Sequence, residues 1–418
     1  MRIAALRRTD KKLITKNRVN WLSERLPINE YIRQHLTQYY LPKNLNFWYF
    51  FGFLSLFTFF LQVVTGIWLT LFYTPTPEGA FNSIEMIMRD IPYGWLLRYL
   101  HSSGASVFFI LIYAHIFRSL LYGSYKKPRE LVWLLGVCLY IILLLEAFLG
   151  YLLPWGQTSY WASQIGTSLL DSIPKIGHTL TLWIRGNNVV AGETLHRFFA
   201  FHVIAIPLSL IFIIRLHLIA LHKVGCNNPE GISIQTKTCL HNKTLSKVPF
   251  HPYYTIKELL ALLIFLFIFS VIVFFVPEMH GYFLEANNFI PADPLLTPDH
   301  IQPLWYLAPF YGVLCVIPNK TLGILVMGGV IFMLLMLPWL DRNPVRSMRN
   351  RGYYSRFALA NFILSFSLLS YISTTVFTPN KVIFVQILLL NYFLFFLLMP
   401  FYTKYEKNKP LPQSLCGK

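Results

Sequence analysis

Eight stretches of nearly uninterrupted apolar residues recur along the chain and alternate with shorter polar segments. An α-helix needs roughly 20 residues to cross about 30 Å of hydrocarbon, and each stretch is close to that length. We therefore predict an all-α integral membrane protein with eight transmembrane helices. The predicted spans are Phe47–Tyr73, Trp95–Leu121, Leu131–Leu153, Phe198–Leu221, Leu259–Val276, Leu322–Leu340, Phe357–Phe377 and Val382–Phe401.

Two of the polar connections are long and are predicted to lie on the same outer face of the membrane. The first, Pro154–Arg197, contains two segments, Gln157–Leu170 and Ser172–Ile184, that can form short amphipathic helices at the interface. The second, Pro277–Lys320, contains seven prolines, which predicts a rigid path broken into short helical pieces. Long structured loops of this kind are typical of binding sites.

The composition agrees with a membrane protein, because 55% of the residues are hydrophobic, 13% are charged and the mean hydropathy is +0.50. The net charge of +18 raises the alternative of a nucleic-acid partner, which would require basic residues gathered on one ordered face. Most Lys and Arg residues instead fall in alternate connections, the positive-inside pattern of eight spans with both termini in the cytoplasm. We expect contacts with membrane lipid and no nucleic-acid partner.

Two pairs of histidines lie inside apolar stretches, His101 with His115 and His202 with His217. The fourteen residues from His101 to His115 advance about 21 Å of helix and return to nearly the same face, and the fifteen from His202 to His217 advance about 22 Å, so each pair marks two depths in the membrane. Antiparallel helices would bring His101 opposite His202 on the outer side and His115 opposite His217 on the inner side. A single histidine in a helix is usually a satisfied interior residue, but two matched levels favour metal ligands. Two facing imidazoles suit the axial positions of a haem better than zinc, which needs three or four protein ligands.

A second periodicity points to the same two depths. Two helices each carry a pair of glycines fourteen residues apart, and a glycine lets a backbone approach a flat ring closely. The alternative, small-residue packing between helices, usually has a spacing near four. The four glycines are Gly52, Gly66, Gly136 and Gly150.

Arg98 and Arg118, three residues outside a histidine, can reach the interface and neutralise haem propionates. The chain has no C-x-x-C-H motif, so we predict non-covalent haem.

Four motifs give the sequence a specific resemblance. Gly150–Gln157 reads GYLLPWGQ, Arg197–His202 reads RFFAFH, Asn227–Pro229 reads NNP and Pro303–Tyr306 reads PLWY. In combination they resemble cytochrome b of the quinol:cytochrome c oxidoreductase, or bc1, complex, over residues 20–400. The resemblance implies that the first four spans form a four-helix bundle around two stacked b haems. It also implies that His101 and His202 hold the low-potential haem, and that His115 and His217 hold the high-potential haem.

The resemblance further implies an activity and partners. Members of this family oxidise ubiquinol at an outer site, send one electron to a Rieske iron-sulfur protein, and send the other across the two haems to reduce ubiquinone at an inner site. Cytochrome c1 is a further partner, and the complex is a homodimer. By resemblance the outer site contains Pro303, Leu304, Trp305 and Tyr306, and we add Tyr151 and Glu278 as candidates because they lie on an outer loop or at the outer end of a span. The inner site contains His222, Lys257 and Glu258, while Phe53 occupies a position that is commonly serine.

Two departures from the family pattern shape our expectations. Leu304 stands where glutamate is usual, and leucine cannot accept a proton from quinol. We hypothesise that the Rieske partner takes the first proton. The candidates for passing on the second proton are Tyr151, Glu278, Glu285 and Asp299.

The fifteen-residue spacing from His202 to His217 is one residue longer than the mitochondrial spacing. We therefore expect a wide turn near Pro207 that accommodates the extra residue. We also expect that the protein comes from a bacterial inner membrane and not from a mitochondrial one.

The predicted domains follow these assignments. They are a cytoplasmic N-terminal segment with an interfacial helix at 1–46, the haem-binding bundle at 47–222 with outer loop helices at 154–197, a cytoplasmic loop at 223–255, a four-helix C-terminal domain at 256–402 with an outer quinol-site loop at 277–320, and a cytoplasmic tail at 403–418. Two alternatives stay open on sequence alone. One is a secondary transporter with an intramembrane His/Arg relay, and the other is a two-haem membrane anchor of another quinone-linked dehydrogenase.

Overall fold

A computed structural model describes residues 25–26, 30, 33–232, 247–301 and 303–410 of the 418-residue chain. Within these residues, eight helices are long and apolar enough to cross a membrane, and each overlaps a predicted span. Most of the predicted N-terminal segment, the middle of the predicted cytoplasmic loop and the end of the predicted tail lie outside the described residues. The all-α prediction is confirmed.

The backbone contacts divide the chain into two compact units. Of the described residues, the larger contains 45–232, 264–301 and 303–410, and the smaller contains 25–26, 30, 33–44 and 247–263. The described part of the smaller unit contains an antiparallel two-stranded sheet of β1 (Tyr40–Pro42) and β2 (Lys247–Pro249), paired with Leu41 opposite Val248. The Tyr254 hydroxyl donates a hydrogen bond to the carbonyl of Pro42 in the same unit.

The first part of the larger unit contains the helices that carry the histidines and glycines. They are α1 (Phe51–Thr70), α2 (Ala80–Arg89), α3 (Gly94–Tyr122), α4 (Glu130–Leu152), α5 (Gln157–Ser168), α6 (Gly177–Arg185), α7 (Gly192–Ala200) and α8 (Ile206–Val224). Helix α1 packs along α3, and α4 packs along α8. Within the described residues, the backbones of one pair approach those of the other only at isolated points, which leaves room between the pairs.

Helices α7 and α8 are joined by a π-helical turn, Phe201–Ala205, and Pro207 lies at the start of α8. A π-helical turn contains one more residue than an α-helical turn. It therefore takes up the extra residue between His202 and His217, so that both rings face the same side. The wide turn predicted near Pro207 is present.

The remaining helices form the second part of the chain. They are α9 (Thr255–Phe275), α10 (Ala308–Val316), α11 (Lys320–Leu340), α12 (Tyr353–Ile372), α13 (Pro379–Leu397) and α14 (Met399–Tyr405). Helix α10 packs against α11, α12 and α13, while α11 also packs against α4. The outer loop before α10 contains two short 3₁₀ turns, Met279–Gly281 and Ala286–Phe289, in agreement with the predicted broken path.

A buried charged cluster joins the connection after α3 to the connection after α11. Asp341 accepts hydrogen bonds from Arg351 at 2.5 Å and from the Tyr125 hydroxyl at 2.6 Å, and its other oxygen lies 2.9 Å from Lys126 Nζ. Burial alone would raise the pKa of the Asp341 carboxyl, but Arg351, Lys126 and the two hydrogen bonds outweigh it and hold that pKa below its usual value. The cluster therefore favours the ionised carboxylate in the folded state.

An Asp341→Asn substitution is expected to lower stability at neutral pH by about 3–5 kcal/mol, because Arg351 would keep its charge in a buried site without its partner. The depressed pKa means that Asp341 contributes stability above its unfolded pKa of about 3.9, and that this contribution is lost as the pH falls through the folded pKa. Thermal unfolding in detergent at pH 7 and below pH 4 measures both effects. Glu85→Gln is the control, since the half-buried Glu85 pairs with the largely exposed Arg89 at 2.6 Å and should change stability by less than about 1 kcal/mol. An equal loss in both variants would contradict the prediction.

Candidate functional site

Each of the four intramembrane histidines packs against one of the four predicted glycines. A Cβ added at Gly66 would lie 3.1 Å from Cε1 of His101, and one added at Gly150 would lie 2.8 Å from Nδ1 of His202. The distances from an added Cβ to the ring Cε1 are 3.0 Å between Gly52 and His115 and 3.4 Å between Gly136 and His217. The glycines therefore let α1 and α4 lie directly against the imidazole rings at two depths, as their spacing predicts. The structure adds that every ring has its own glycine.

The rings of His101 and His202, the pair predicted for the outer side, lie next to each other. Their centroids are 6.1 Å apart and their planes are inclined by 86°. With metal–nitrogen distances of about 2 Å on each side and roughly 1 Å from nitrogen to ring centroid, two axial imidazoles have centroids about 6 Å apart. In the described part of the chain, three or more metal-binding side chains do not cluster anywhere, so a site built wholly from protein ligands is not found there. The pair fits a haem iron.

Hydrogen bonds fix the orientation of the two outer rings. Thr65 donates its hydroxyl proton to the carbonyl of Leu61 at 2.7 Å, and its oxygen lies 3.0 Å from Nδ1 of His101, from which it can accept. Nδ1 of His202 lies 3.0 Å from the carbonyl oxygen of Glu146. A proton on Nδ1 in both rings leaves Nε2 with its lone pair free for a metal. Axial histidines usually have hydrogen bonds of this kind on the nitrogen that faces away from the metal.

His115 and His217, the pair predicted for the inner side, differ from the other pair in their hydrogen bonding. Nδ1 of His115 and Nδ1 of His217 are buried, and neither has a hydrogen-bond partner within the residues that the structure describes. Buried polar atoms without partners are uncommon and call for an explanation. Two such imidazoles, each backed by a glycine at the same depth, are consistent with a second pair of ligands.

The two predicted propionate-binding arginines lie at opposite ends of α3. Arg118 donates to the hydroxyl of Ser124 at 3.2 Å and lies over the ring of Tyr49 at 4.8 Å, while its buried Nε has no partner among the described residues. Arg98 lies in the first turns of α3, three residues before His101. Each arginine is close in sequence to the histidine that it is predicted to accompany.

The outer PLWY segment is held tightly in the core. The ring of Tyr306 stacks on that of Phe109 at 3.9 Å, and the Trp305 indole donates to the hydroxyl of Ser106 at 3.3 Å. The Tyr113 hydroxyl donates to the carbonyl of Tyr306 at 3.1 Å. These contacts connect the segment to α3 and fix it before α10 begins.

A large apolar cavity of about 650 Å³ lies beside this segment. Its lining includes Tyr113 from α3, Met279 and Phe283 from the outer loop, and Trp305 from the PLWY segment. Cavities of this size and polarity are typical of sites for small organic molecules. Of the six predicted outer-site residues, only Trp305 lines the cavity. Leu304 and Tyr306 are buried in the surrounding core.

The four residues predicted to relay a proton fall in different surroundings. Glu278, next to the cavity-lining Met279, accepts a hydrogen bond from the Tyr99 hydroxyl at 3.2 Å. The Tyr151 hydroxyl accepts from the side chain of Asn288 at 2.7 Å. Glu285 has one buried oxygen without a partner among the described residues, and Asp299 is exposed. Glu278 is therefore the carboxylate nearest in sequence to the cavity wall.

The residues predicted for the inner quinone site lie at helix ends. His222 is in the last turn of α8. Lys257 and Glu258 are in the first turn of α9, where Lys257 Nζ lies 3.2 Å from the Tyr253 hydroxyl. Phe53 lies in the first turn of α1. Their joint role stays a prediction.

One residue at the outer histidines was not predicted. Glu146 lies inside α4, and its carboxylate is 3.2 Å from Nδ1 of His202. An acidic residue within a transmembrane span is costly and usually functional. Its position in the third apolar stretch, sixteen residues after Glu130, is the signal that could reveal it.

Comparisons with known proteins agree with the motifs. A family model described as Cytochrome b/b6/petB matches residues 36–225, and one described as Cytochrome b(C-terminal)/b6/petD matches residues 291–393. Relatives named cytochrome b include that of Allochromatium vinosum, 47% identical over 96% of this chain and 98% of the relative. That of Rhodospirillum rubrum is 42% identical over 96% of each chain.

The solved structures extend this similarity to the fold. A chain from a structure titled "Hyperthermophilic respiratory Complex III" matches with a TM-score of 0.86 and 38% identity, covering 93% of this chain and 99% of that one. Sequence, fold and the arrangement of the histidines lead to one conclusion. The chain belongs to the cytochrome b family.

Proposed function

We propose that this chain is the cytochrome b subunit of a bacterial respiratory bc1 complex, that it binds two non-covalent b haems, and that it is a catalytic subunit of quinol:cytochrome c oxidoreductase. The observation that carries the proposal is the pair His101 and His202, with ring centroids 6.1 Å apart and each ring backed by a glycine. Neither the transporter nor the anchor of another dehydrogenase accounts for membership of this family.

The haem ligands are His101 with His202 on the outer side and His115 with His217 on the inner side. Haem b, when bound at both levels, supplies one-electron carriers at two depths in the membrane. The chain's own contribution is to orient the imidazoles through Thr65 and the Glu146 carbonyl, and to keep the backbone clear at the four glycines. Arg98 and Arg118 provide positive charge for propionates.

The outer cavity is the proposed site of quinol oxidation. Its apolar walls suit the ring and isoprenoid tail of ubiquinol. One electron leaves to a Rieske iron-sulfur protein and the other crosses the membrane toward an inner quinone site at His222, Lys257 and Glu258. Two protons are released on the outer side, so the cycle contributes to proton translocation.

Glu278 is expected to take over the proton-accepting role that Leu304 cannot perform. It is the neighbour of a cavity-lining residue and it is already an acceptor of a hydrogen bond from Tyr99. Glu278→Gln is expected to lower the rate of quinol oxidation about 100-fold or more, the usual size of a general-base contribution, with little change in haem content. Stopped-flow reduction of haem by ubiquinol measures this rate. Glu78→Gln, an exposed acid in the loop before α2, is the control, and a Glu278→Gln rate equal to that control would contradict the assignment.

The remaining parts of the proposal concern assembly. We propose that both termini are cytoplasmic, that cytochrome c1 and the Rieske protein are partners, and that the complex is a homodimer in the bacterial inner membrane. The similarity to a complex III chain over nearly all of both chains supports this assembly.

A reduced-minus-oxidised spectrum of the purified complex tests the function directly. We expect b-type bands with two haems per chain, titrating in two one-electron steps, and quinol-dependent reduction of cytochrome c. Absence of b-type bands would refute haem binding, while two haems without quinol-dependent reduction of cytochrome c would refute the oxidoreductase assignment.

A further inference from the structure

A carboxylate inside the third transmembrane helix sets one of the four histidines apart from the others. Glu146 lies in α4 between Gly136, which contacts His217 of α8, and Gly150, which contacts His202 of the π-helical turn before α8. Only 15% of its side chain is exposed. A carboxylate at this depth is unfavourable unless it has a partner of complementary charge or a proton to accept.

The partner of Glu146 is Nδ1 of His202. The carboxylate oxygen Oε1 lies 3.2 Å from this nitrogen, and the backbone carbonyl of the same residue lies 3.0 Å from it. Both oxygens can accept only from a protonated Nδ1, so Glu146 fixes the His202 tautomer twice over. The second carboxylate oxygen, Oε2, is buried and has no partner among the described residues. The negative charge of Glu146 is therefore directed at one imidazole.

The other three histidines lack such a charge. Nδ1 of His101 lies 3.0 Å from the neutral hydroxyl of Thr65. Nδ1 of His115 and Nδ1 of His217 have no hydrogen-bond partner in the described part of the chain. The outer level thus differs from the inner level in having a carboxylate beside one of its two imidazoles.

We propose that Glu146 is a positioning residue that makes His202 a stronger electron donor and thereby lowers the reduction potential of the outer haem relative to the inner one. This inference rests on the proposed haem ligation. A carboxylate that accepts the Nδ1 proton raises the basicity of a ligating imidazole, and a negative charge in a low-dielectric site favours the oxidised, more positive iron. The resulting difference directs electrons from the outer level toward the inner level.

Glu146→Gln tests the charge with almost no change in side-chain size. We expect the outer haem to be retained and the equilibrium between its ferric and ferrous forms to shift at least tenfold toward ferrous, which is about 59 mV upward for one electron. The inner haem is the internal control and should keep its potential. The measurement is a spectroelectrochemical titration of the intact complex, combined with the low-temperature EPR signal of the ferric outer haem.

A second substitution distinguishes the effect of the Glu146 charge on the haem potential from the effect of side-chain packing. Glu146→Asp keeps the charge but withdraws it by one methylene, so its outer potential should fall between those of the parent and Glu146→Gln. An unchanged outer potential in Glu146→Gln, or equal shifts of both haems, would overturn the inference. If Glu146→Gln loses haem, a parent-like outer potential in Glu146→Asp would overturn it, and an outer potential above that of the parent would support it. A parent complex without b-type bands would instead refute the proposed function itself.

Discussion

Replacing His101 with leucine is expected to remove the outer haem and to reduce quinol-driven electron transfer to background. Leucine has nearly the same bulk as histidine but supplies no lone pair, so the His202 ring, 6.1 Å from that of His101, would face a side chain that cannot ligate iron. The loss should appear as one b haem per chain instead of two, with the lower-potential step missing from the redox titration.

Stability should fall together with haem content. A bound cofactor stabilises the folded state by an amount that grows with the logarithm of its free concentration relative to its Kd. Loss of the haem also leaves the space between the α1–α3 and α4–α8 pairs unfilled. His115→Leu is the matched variant for the other level, and it should remove the higher-potential step. His178→Gln, at an exposed histidine in α6, is the control. Full haem content in His101→Leu would contradict the ligand assignment.

The spans are predictable from the sequence because a run of apolar residues is a direct consequence of the hydrocarbon around it. Helix ends are less predictable. The apolar pattern starts the fourth span at Phe198, whereas the helix begins at Gly192, because the first turns of α7 are polar but still helical. The second amphipathic helix is predicted from Ser172 but begins at Gly177, after Pro174 and a left-handed residue at Lys175.

The histidine and glycine positions are predictable for a similar reason. Spacing on a helix fixes both depth and direction, so residue numbers alone assign pairs that are fourteen residues apart to two levels. The π-helical turn at Phe201–Ala205 is predictable only as a wide turn, because its position depends on packing around the histidines.

Side-chain direction outside regular helices is not predictable in this way. The motif predicts Leu304 and Tyr306 for the outer site, which stays a prediction, but it does not predict that both side chains are buried in the core or that Met279 and Phe283, from an earlier part of the loop, line the neighbouring cavity. The role of Glu146 escapes prediction because its significance depends on the position of His202, fifty-six residues later in the chain.

Adding one methyl group at Gly150 is expected to be far more damaging than adding it at Gly136, although both glycines lie on α4 and each faces a histidine ring, His202 and His217 respectively. Alanine stabilises a helix by up to about 1 kcal/mol relative to glycine, so a neutral site would show a gain. At Gly136 the new Cβ would lie 3.4 Å from Cε1 of His217, an ordinary contact, and that ring has no Nδ1 hydrogen bond in the described residues to hold it in place. Gly136→Ala should therefore be neutral or stabilising.

At Gly150 the clash between the added Cβ and the His202 ring makes the expected change in stability unfavourable. The Cβ would lie 2.8 Å from Nδ1 and closer still to Cε1 of His202, and the ring cannot retreat without losing its hydrogen bonds to Glu146. Overpacking of this kind costs about 1–3 kcal/mol, which exceeds the helix gain, and the displaced Nε2 would no longer align with His101. Gly150→Ala should lower outer haem content and thermal stability, with Gly52→Ala and Gly66→Ala between the two extremes because their contacts are 3.0 and 3.1 Å. Measuring the haem content and melting temperature of the four variants ranks them by the damage that each substitution causes. Equal effects at Gly136 and Gly150 would show that contact with the histidine ring is not the reason why glycine is needed at these positions.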